Sequence, residues 1–262
     1  MAKIRVNDID FYYECHGKGD PIVLIAGYSC DHTFWANIID ELTLHYQVYI
    51  FDNRGMGQTK DSTVELTLEL MADDVIQIIK SLNIKQPIIL GHSMGGIIAQ
   101  IVAHKHPKGI KKLIVLNSAA TINARTLMVL DSLLKVFKEN VSFDTLISAN
   151  MPWFFSPDYL ANPKNIAWYK EFCKNNPFPP RTRILERQLA ALVQHNSENW
   201  LSELRVPTLV IASENDIICL PAESKRLANN IPNAEFRMIS GGHASPVEDP
   251  HQVILALANI SF

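Results

Sequence analysis

The sequence predicts an α/β fold in which helices flank a mainly parallel sheet. Short apolar runs alternate along the chain with segments of helical periodicity, and most of these runs lack polar alternation. Strands buried on both faces have such runs, and strands that alternate with helices form parallel βαβ units. The candidate strands, in chain order, are 22–26, 47–51, 87–90, 112–116, 207–212 and 235–239.

The N-terminal segment has a different pattern. Residues 3–16 look like a hairpin bent at Asn7-Asp8. Two strands joined by a tight turn are antiparallel. We therefore expect the sheet to begin with antiparallel strands.

Four helices are predicted around these strands. Apolar residues recur in 68–82 at the spacing of one helical face. Residues 94–106 follow a strand directly and stop before a proline, which cannot continue a helix. Segments 221–230 and 250–260 each begin with proline, which suits the first helical turn.

One long segment, 119–205, has no strand pattern. Helical stretches at 124–139 and 181–195 enclose an aromatic, proline-rich section. We interpret the segment as an inserted helical cap. The predicted domains are therefore a core of 1–118 and 206–262 and a cap of 119–205.

Composition limits the classes of partner. The chain has 262 residues, of which 47% are hydrophobic and 19% charged, with a formal net charge of -3. Neither the Lys and Arg excess of nucleic-acid binding nor a basic block suited to an anionic membrane is present. No stretch approaches the roughly 20 apolar residues of a membrane span, and residues 1–14 lack the apolar region of a secretory signal. A cytoplasmic protein is expected.

The four cysteines predict neither a disulfide framework nor a zinc site. They show no Cys-x-x-Cys pair and no zinc-type spacing with histidine. In a chain of this length they are expected to be free thiols in a reducing compartment. These residues are Cys15, Cys30, Cys173 and Cys219.

A nucleophile motif lies at the centre of the α/β pattern. Residues 87–96 run from a strand candidate through a tight turn into a helix and contain Gly91-x-Ser93-x-Gly95. In the G-x-S-x-G elbow the turn exposes the serine hydroxyl, and the glycines let strand and helix pass closely. The motif alone occurs by chance in roughly one such chain in ten. Its position between strand and helix therefore carries the prediction of Ser93 as nucleophile.

A serine hydroxyl needs an adjacent base at neutral pH. Among nine histidines, His243 follows the last strand candidate, where open α/β sheets place functional groups. His251 lies within the last predicted helix, and the side chain of His92 is expected to point away from the site. His243 is therefore the predicted general base.

The histidine in turn needs a carboxylate that fixes its tautomer and stabilises the imidazolium. Asp216 and Glu214 both follow the strand 207–212. Glu214 is closer to the strand end and is expected to point elsewhere. The order Ser93, Asp216, His243 matches the chain order for this elbow, so Asp216 is favoured.

Further motifs carry a family resemblance. They are Gly17-x-Gly19-x-Pro21-Ile22-Val23-Leu24, Ala26-Gly27-Tyr28 with Trp35, Asp52-x-Arg54-Gly55-x-Gly57-x-Thr59, Gly91-His92-Ser93-Met94-Gly95-Gly96, Val206-Pro207-Thr208-Leu209-Val210 with Asp216, and Gly242-His243. With them the chain resembles the α/β-hydrolase superfamily over nearly its whole length, and within it the small capped esterases and enol-lactonases. The resemblance implies the α/β-hydrolase fold, a mostly parallel eight-stranded sheet flanked by helices with an inserted helical cap.

The resemblance also implies an oxyanion hole of two backbone N–H groups. One belongs to Met94, at a helix N-terminus where such groups are free. The family's other donor follows a His-Gly pair after the third strand. Here that pair reads Ala26-Gly27, so the donor falls on Tyr28 and the missing histidine is a departure.

The loop 52–59 has a Gly-x-Gly but lacks the third glycine of a dinucleotide site. Asp52 and Arg54 are therefore expected to be structural, as an ion pair that orders its own loop. Neither a metal nor an organic cofactor is predicted.

A serine at the elbow indicates acyl transfer, whereas relatives with aspartate there transfer alkyl groups. The prediction is a serine hydrolase that cleaves a small or medium carboxylic ester through an acyl-enzyme. The partner is then a small-molecule ester or lactone. A lactonase or thioesterase with the same triad, a ligand receptor and a perhydrolase remain alternatives.

The cap is expected to supply the substrate pocket. Its aromatic residues suit an apolar acyl group, although they could equally pack the cap on the sheet. An inward arginine would instead favour an acyl chain that ends in a carboxylate. The predicted pocket residues are Met151, Trp153, Phe154, Phe155 and Trp168, and the cap arginines include Arg125, Arg181, Arg183 and Arg187.

Overall fold

Eight strands form one sheet in the computed structural model, which describes residues 2–7 and 9–258. The strands are β1 (Ala2–Val6), β2 (Ile9–Gly17), β3 (Asp20–Ile25), β4 (Tyr46–Phe51), β5 (Ile88–His92), β6 (Lys112–Leu116), β7 (Thr208–Ser213) and β8 (Glu235–Ile239). Their order is β1-β2-β4-β3-β5-β6-β7-β8. The β1–β2 and β2–β4 pairs are antiparallel and the other pairs parallel. The predicted fold class is confirmed.

The N-terminal hairpin is also confirmed, with Val6 opposite Ile9. Of the predicted bend, Asn7 has a positive φ of 46°, whereas Asp8 lies outside the described residues. Asparagine tolerates this left-handed conformation better than most residues. The turn residue thus suits the tight connection between the two strands.

Eleven helices are found in the described part of the chain. They are α1 (Ala36–Leu42), α2 (Leu68–Ser81), α3 (Met94–Lys105), α4 (Ala124–Lys138), α5 (Phe143–Phe154), α6 (Pro157–Leu160), α7 (Pro163–Lys174), α8 (Thr182–Gln194), α9 (Pro221–Asn230), α10 (Ser245–Glu248) and α11 (Pro250–Leu257). The predicted helix 250–260 ends at Leu257, and residues 259 and 260 lie outside the described residues. Within residues 2–7 and 9–258, no helix is long and apolar enough to cross a membrane.

Alternate residues of the central strands serve two separate cores. On β3, Ile22 and Leu24 pack in one apolar cluster with residues of α1 and α11. Val23 and Ile25 pack in the other, with residues of α2, α3 and α9. Each fully buried aliphatic side chain contributes about 1.5–3 kcal/mol. The unbroken apolar runs in the sequence therefore reflect strands covered on both faces.

Helices α4–α8, which we call the inserted helices, all lie between β6 and β7. Four of them begin at an Asn or Ser whose side chain accepts a hydrogen bond from a backbone N–H in the first turn. Such N-caps are worth about 1 kcal/mol each. The helices fall within 119–205, and the division into core and cap stays a prediction.

The loop after β4 is ordered by two ion pairs that both reach beyond it. Arg54 pairs with Asp74 of α2, with Nε 2.8 Å from Oδ2. Asp52 pairs with His32, with Oδ1 2.7 Å from Nδ1. The expectation that Asp52 and Arg54 pair with each other is therefore wrong. The turn points the two side chains at different partners that are distant in the sequence. Local sequence does not reveal such pairings.

Candidate active site

Ser93 lies in a strained turn between β5 and α3, with φ 55° and ψ -122°. Its N–H donates to the carbonyl oxygen of Leu116 at 3.0 Å, and its own carbonyl accepts from the Ser118 hydroxyl at 2.8 Å. A Cβ at Gly91 would collide with the carbonyl of Gly95, and a Cβ at Gly95 with that of Ile25. The glycines of the motif thus permit the close crossing of strand and helix, as expected.

The structure brings Asp216 and His243 together. Asp216 Oδ2 lies 2.8 Å from His243 Nδ1, and the two residues are only 1% and 4% exposed. The other oxygen, Oδ1, accepts from the backbone N–H groups of Ile218 and Cys219 at 2.8 and 2.9 Å. This carboxylate is held rigidly and favours a proton on Nδ1, which leaves Nε2 as an acceptor. The rival Glu214 is exposed.

Ser93 and His243 line the same cavity, so the three predicted residues converge on one site. The loop that carries His243 is also tied to the inserted helices. The N–H of Ala244 donates to the Phe154 carbonyl at 2.8 Å. A Cβ at Gly242 would crowd the backbone of Phe155 and Ser156, so the glycine allows this contact.

The expectation that His92 points away from the site is wrong. Its Nε2 lies 2.7 Å from the carbonyl oxygen of His243, and the two rings are 4.8 Å apart. Burial holds the pKa of His92 well below its usual range. A neutral ring with a proton on Nε2 can donate to that carbonyl and so fixes the His243 backbone. Its place before the serine did not reveal this role.

Both predicted oxyanion donors lie beside Ser93. Met94 is the first residue of α3, where backbone N–H groups have no partner within the helix. Tyr28 lines the cavity and follows Gly27, where a Cβ would lie 3.1 Å from Ser93 Cβ. Although Ala26 stands where the family has histidine, the loop is still anchored. Asn53 Nδ2 donates a hydrogen bond to the Ala26 carbonyl at 2.9 Å.

A cavity of about 310 Å³ opens from Ser93 towards the inserted helices. Its walls are mainly aliphatic and aromatic, as in most small-molecule sites. The largest share comes from α4, α5, α7 and α8. These residues include Leu130, Leu133, Leu134, Phe137, Leu146, Ile147, Tyr169, Phe172, Leu185 and Leu192.

Of the five predicted pocket residues, Phe154 lines this cavity and the other four do not. Met151 and Phe155 pack in a separate cluster with Tyr159, Ala244 and Val247, and Trp153 packs on a cluster of Val129, Ile218 and Cys219. Trp168 is 43% exposed. The reason is helical geometry: α5 presents Ile147, Asn150 and Phe154 to the cavity, so its intervening residues face other neighbours.

Sequence reasoning missed the wall formed by α4. Thr126, Leu130, Leu133, Leu134 and Phe137 line the cavity at the spacing of one helical face. The apolar spacing of this stripe is present in the sequence, but the prediction relied on the aromatic section that follows it. In a sequence, an aliphatic stripe that faces a ligand cannot be distinguished from one that packs in a core.

Asp31, His32 and Asp52 place atoms of metal-ligand type within 4.8 Å of one another. Those atoms are already engaged. The N–H and Nδ1 of His32 both bind Asp52 Oδ1, and the N–H of Gln58 donates to Oδ2 at 2.7 Å. Burial opposes a charge on His32, but the hydrogen bond to Asp52 and the nearby carboxylate charges of Asp52, Asp31 and Glu14 together outweigh it and raise the His32 pKa. The cluster is therefore a hydrogen-bonded loop anchor.

The remaining cavity walls include two cysteines. Cys30 and Cys173 line the cavity, and burial raises the pKa of Cys30 to about 12. Thiols with so high a pKa are poor nucleophiles at neutral pH. All four cysteines are free, as expected, although Cys15 is exposed.

Comparison with known proteins defines the class. Residues 20–250 match the family model described as alpha/beta hydrolase fold. The "Putative carbamate hydrolase RutD" of Serratia proteamaculans (strain 568) is 30% identical over 247 residues, which cover 91% of each chain. The chain therefore belongs to the α/β-hydrolase family, and it is a hydrolase.

Two solved structures share the fold. The enol-lactonase of Burkholderia xenovorans LB400 is 24% identical, with a TM-score of 0.84, over 98% of this chain and 100% of that one. A thermophilic esterase from Thermogutta terrifontis is 24% identical, with a TM-score of 0.83, over 98% and 96%. At this identity the likeness concerns the fold alone.

Proposed function

We propose that the protein is a serine hydrolase that cleaves a small or medium carboxylic ester through an acyl-enzyme. One observation carries the proposal. The buried 2.8 Å contact of Asp216 Oδ2 with His243 Nδ1 lies beside a cavity that Ser93 and His243 both line. This is the arrangement that activates a serine hydroxyl.

In the first half of the reaction, Ser93 Oγ attacks the ester carbonyl carbon while His243 Nε2 accepts the hydroxyl proton. The N–H groups of Tyr28 and Met94 stabilise the oxyanion, and Asp216 stabilises the imidazolium. The carbon–oxygen bond to the alcohol then breaks, and His243 returns the proton to the leaving oxygen. The products are an alcohol and the Ser93 ester.

In the second half, water attacks the acyl-enzyme carbonyl while His243 accepts a water proton. The tetrahedral intermediate uses the same two N–H groups. Its collapse breaks the bond to Ser93 Oγ, which recovers the proton from His243. The acid product leaves, and the enzyme returns to its starting state.

Covalent labelling tests this proposal. Ser93→Ala should abolish labelling by a fluorophosphonate and lower kcat for p-nitrophenyl butyrate by about four orders of magnitude or more. Ser202→Ala, at an exposed serine, is the matched control and should behave like the wild type. Wild-type turnover by Ser93→Ala would refute the mechanism. A ligand receptor on this fold would instead bind the ester and release almost no product.

The name of the Serratia relative favours carbamates as a second substrate class. The same attack applies to a carbamate carbonyl, but nitrogen donation makes that carbon less electrophilic. We expect kcat/KM for p-nitrophenyl acetate to exceed that for p-nitrophenyl N,N-dimethylcarbamate. The reverse order would identify a carbamate hydrolase. Measuring kcat/KM for lactones and thioesters of matched acyl length tests the lactonase and thioesterase alternatives in the same way.

A further inference from the structure

The cavity beside Ser93 is apolar but carries an unbalanced negative charge. Among the described residues that line it, Asp31 is the one carboxylate and none is Lys or Arg. Burial keeps His92 neutral by lowering its pKa. A charged substrate would therefore meet a single anionic side chain.

The segment 119–205 does carry arginines, and each of the four predicted candidates is engaged elsewhere. Arg125 donates to the Ile217 carbonyl at 3.0 Å, and Arg181 donates to the Gly55 carbonyl at 2.9 Å. Arg183 and Arg187 both pair with Asp61. The alternative of an inward arginine that binds a substrate carboxylate is thus not supported by the geometry.

Asp31 has only neutral hydrogen-bond partners. Its Oδ1 accepts from the N–H and hydroxyl of Thr33 at 2.8 and 2.5 Å, and its Oδ2 accepts from Asn176 Nδ2 at 2.7 Å. A carboxylate offers about four acceptor positions, so one remains on Oδ2. The residue is 4% exposed, which leaves little solvent to screen it.

A charge on the adjacent His32 only partly offsets that of Asp31. The ring of His32 turns to Asp52, at 2.7 Å from Nδ1, and to Glu14, at 3.7 Å from Nε2. A single positive charge on this histidine therefore faces three carboxylates, those of Asp31, Asp52 and Glu14. The surroundings of Asp31 stay net negative.

We propose that Asp31 determines specificity by excluding substrates that end in a carboxylate and favouring those with neutral or ammonium-bearing ends. The inference rests on the proposed ester hydrolysis and names its substrate class. Charges in a partly dehydrated site interact more strongly than in water. Asp31 repels a carboxylate at the end of the substrate. A cation at the same place loses hydration when it enters the cavity, and its attraction to Asp31 compensates for that loss.

Four p-nitrophenyl esters of matched shape test the proposal. The adipate monoester is compared with its neutral isostere, the 6-methylheptanoate. The 5-(trimethylammonio)pentanoate is compared with the 6,6-dimethylheptanoate. A substitution that impairs the enzyme in general lowers kcat/KM for both esters of a pair. The ratio within each pair therefore reports the effect of the substrate charge alone. In the wild type we expect the anionic ester to be at least about tenfold poorer than its isostere.

Removing the charge should largely abolish this selectivity. Asp31→Asn should lower the cation-to-anion ratio of kcat/KM by about 10- to 100-fold. Asp31→Ser does the same while keeping a good N-cap for the turn His32–Trp35, so it serves if Asp31→Asn folds poorly. Asp158→Asn is the control, because it removes the same charge from an exposed position outside the cavity.

The outcomes separate the two claims. If no neutral ester is cleaved, or cleavage survives Ser93→Ala, the proposed function fails. If Ser93-dependent cleavage occurs but the wild type treats the anionic ester like its isostere, only the role of Asp31 fails. A cation-to-anion ratio unchanged in both Asp31 variants also overturns it.

Discussion

The side chain of Asn117 donates from Nδ2 to the backbone carbonyl of His243 at 2.9 Å. Asn117 is fully buried at the end of β6, with a positive φ of 48°. Its Oδ1 accepts from the N–H of Ser213, the last residue of β7, at 2.8 Å. One amide thus joins the strand that leads to Asp216 and the loop that carries His243.

This link predicts that Asn117 positions the proposed base. Asn117→Asp keeps the shape but removes the donor and sets a carboxylate oxygen against the His243 carbonyl. We expect kcat for p-nitrophenyl butyrate to fall about 10- to 100-fold with little change in KM, because misplacement of the base affects the transition state most. Asn215→Asp, at an exposed position in the neighbouring loop, is the matched control. An unchanged kcat in Asn117→Asp would show that the bond is dispensable.

The acid assignment predicts unequal effects of two similar substitutions. Asp216→Asn should lower kcat roughly 10²–10⁴-fold, because the amide no longer holds the histidine in the correct tautomer. Glu214→Gln should change kcat little, since Glu214 is exposed. Steady-state kinetics on one ester compares the two variants directly. If Glu214→Gln were the more damaging change, the assignment of the acid would be wrong.

The cavity predicts a preferred acyl length. Each buried CH₂ contributes about 0.8 kcal/mol, or roughly fourfold in kcat/KM. We expect p-nitrophenyl esters to improve from acetate to about butyrate or hexanoate and then to decline. Leu133→Trp should shift the optimum to shorter chains, whereas Met128→Trp, at a 71% exposed position of α4, should not. A flat profile across chain lengths argues against a size-selective pocket.

Local patterns in the sequence predicted where helices and strands lie better than which neighbours their side chains face. The bounds of β6 and β8 coincide with the apolar runs, because both runs are framed by turn residues. The convergence of Ser93, Asp216 and His243 on one site was predictable because motif, chain order and strand ends all restrict their positions. Which face of α5 meets the cavity depends on tertiary packing, so Trp153 was misassigned. Nothing local indicates that Asn117 or His92 reaches the His243 carbonyl.

The pairing of His32 with Asp52 predicts a stability that depends on pH. Burial disfavours the charged ring, but the hydrogen bond to Asp52 and the charges of Asp52, Asp31 and Glu14 together outweigh it and raise the pKa of folded His32 above its unfolded value of about 6.5. The stabilisation is therefore complete below about pH 6.5 and is lost as pH rises through the folded pKa. Urea unfolding at several pH values should show the free-energy difference between wild type and His32→Asn shrinking over that range. Asp52→Asn, which removes the hydrogen-bonded carboxylate, should weaken the same trend, because only the charges of Asp31 and Glu14 then remain. A difference that grows with pH would contradict the sign of the shift.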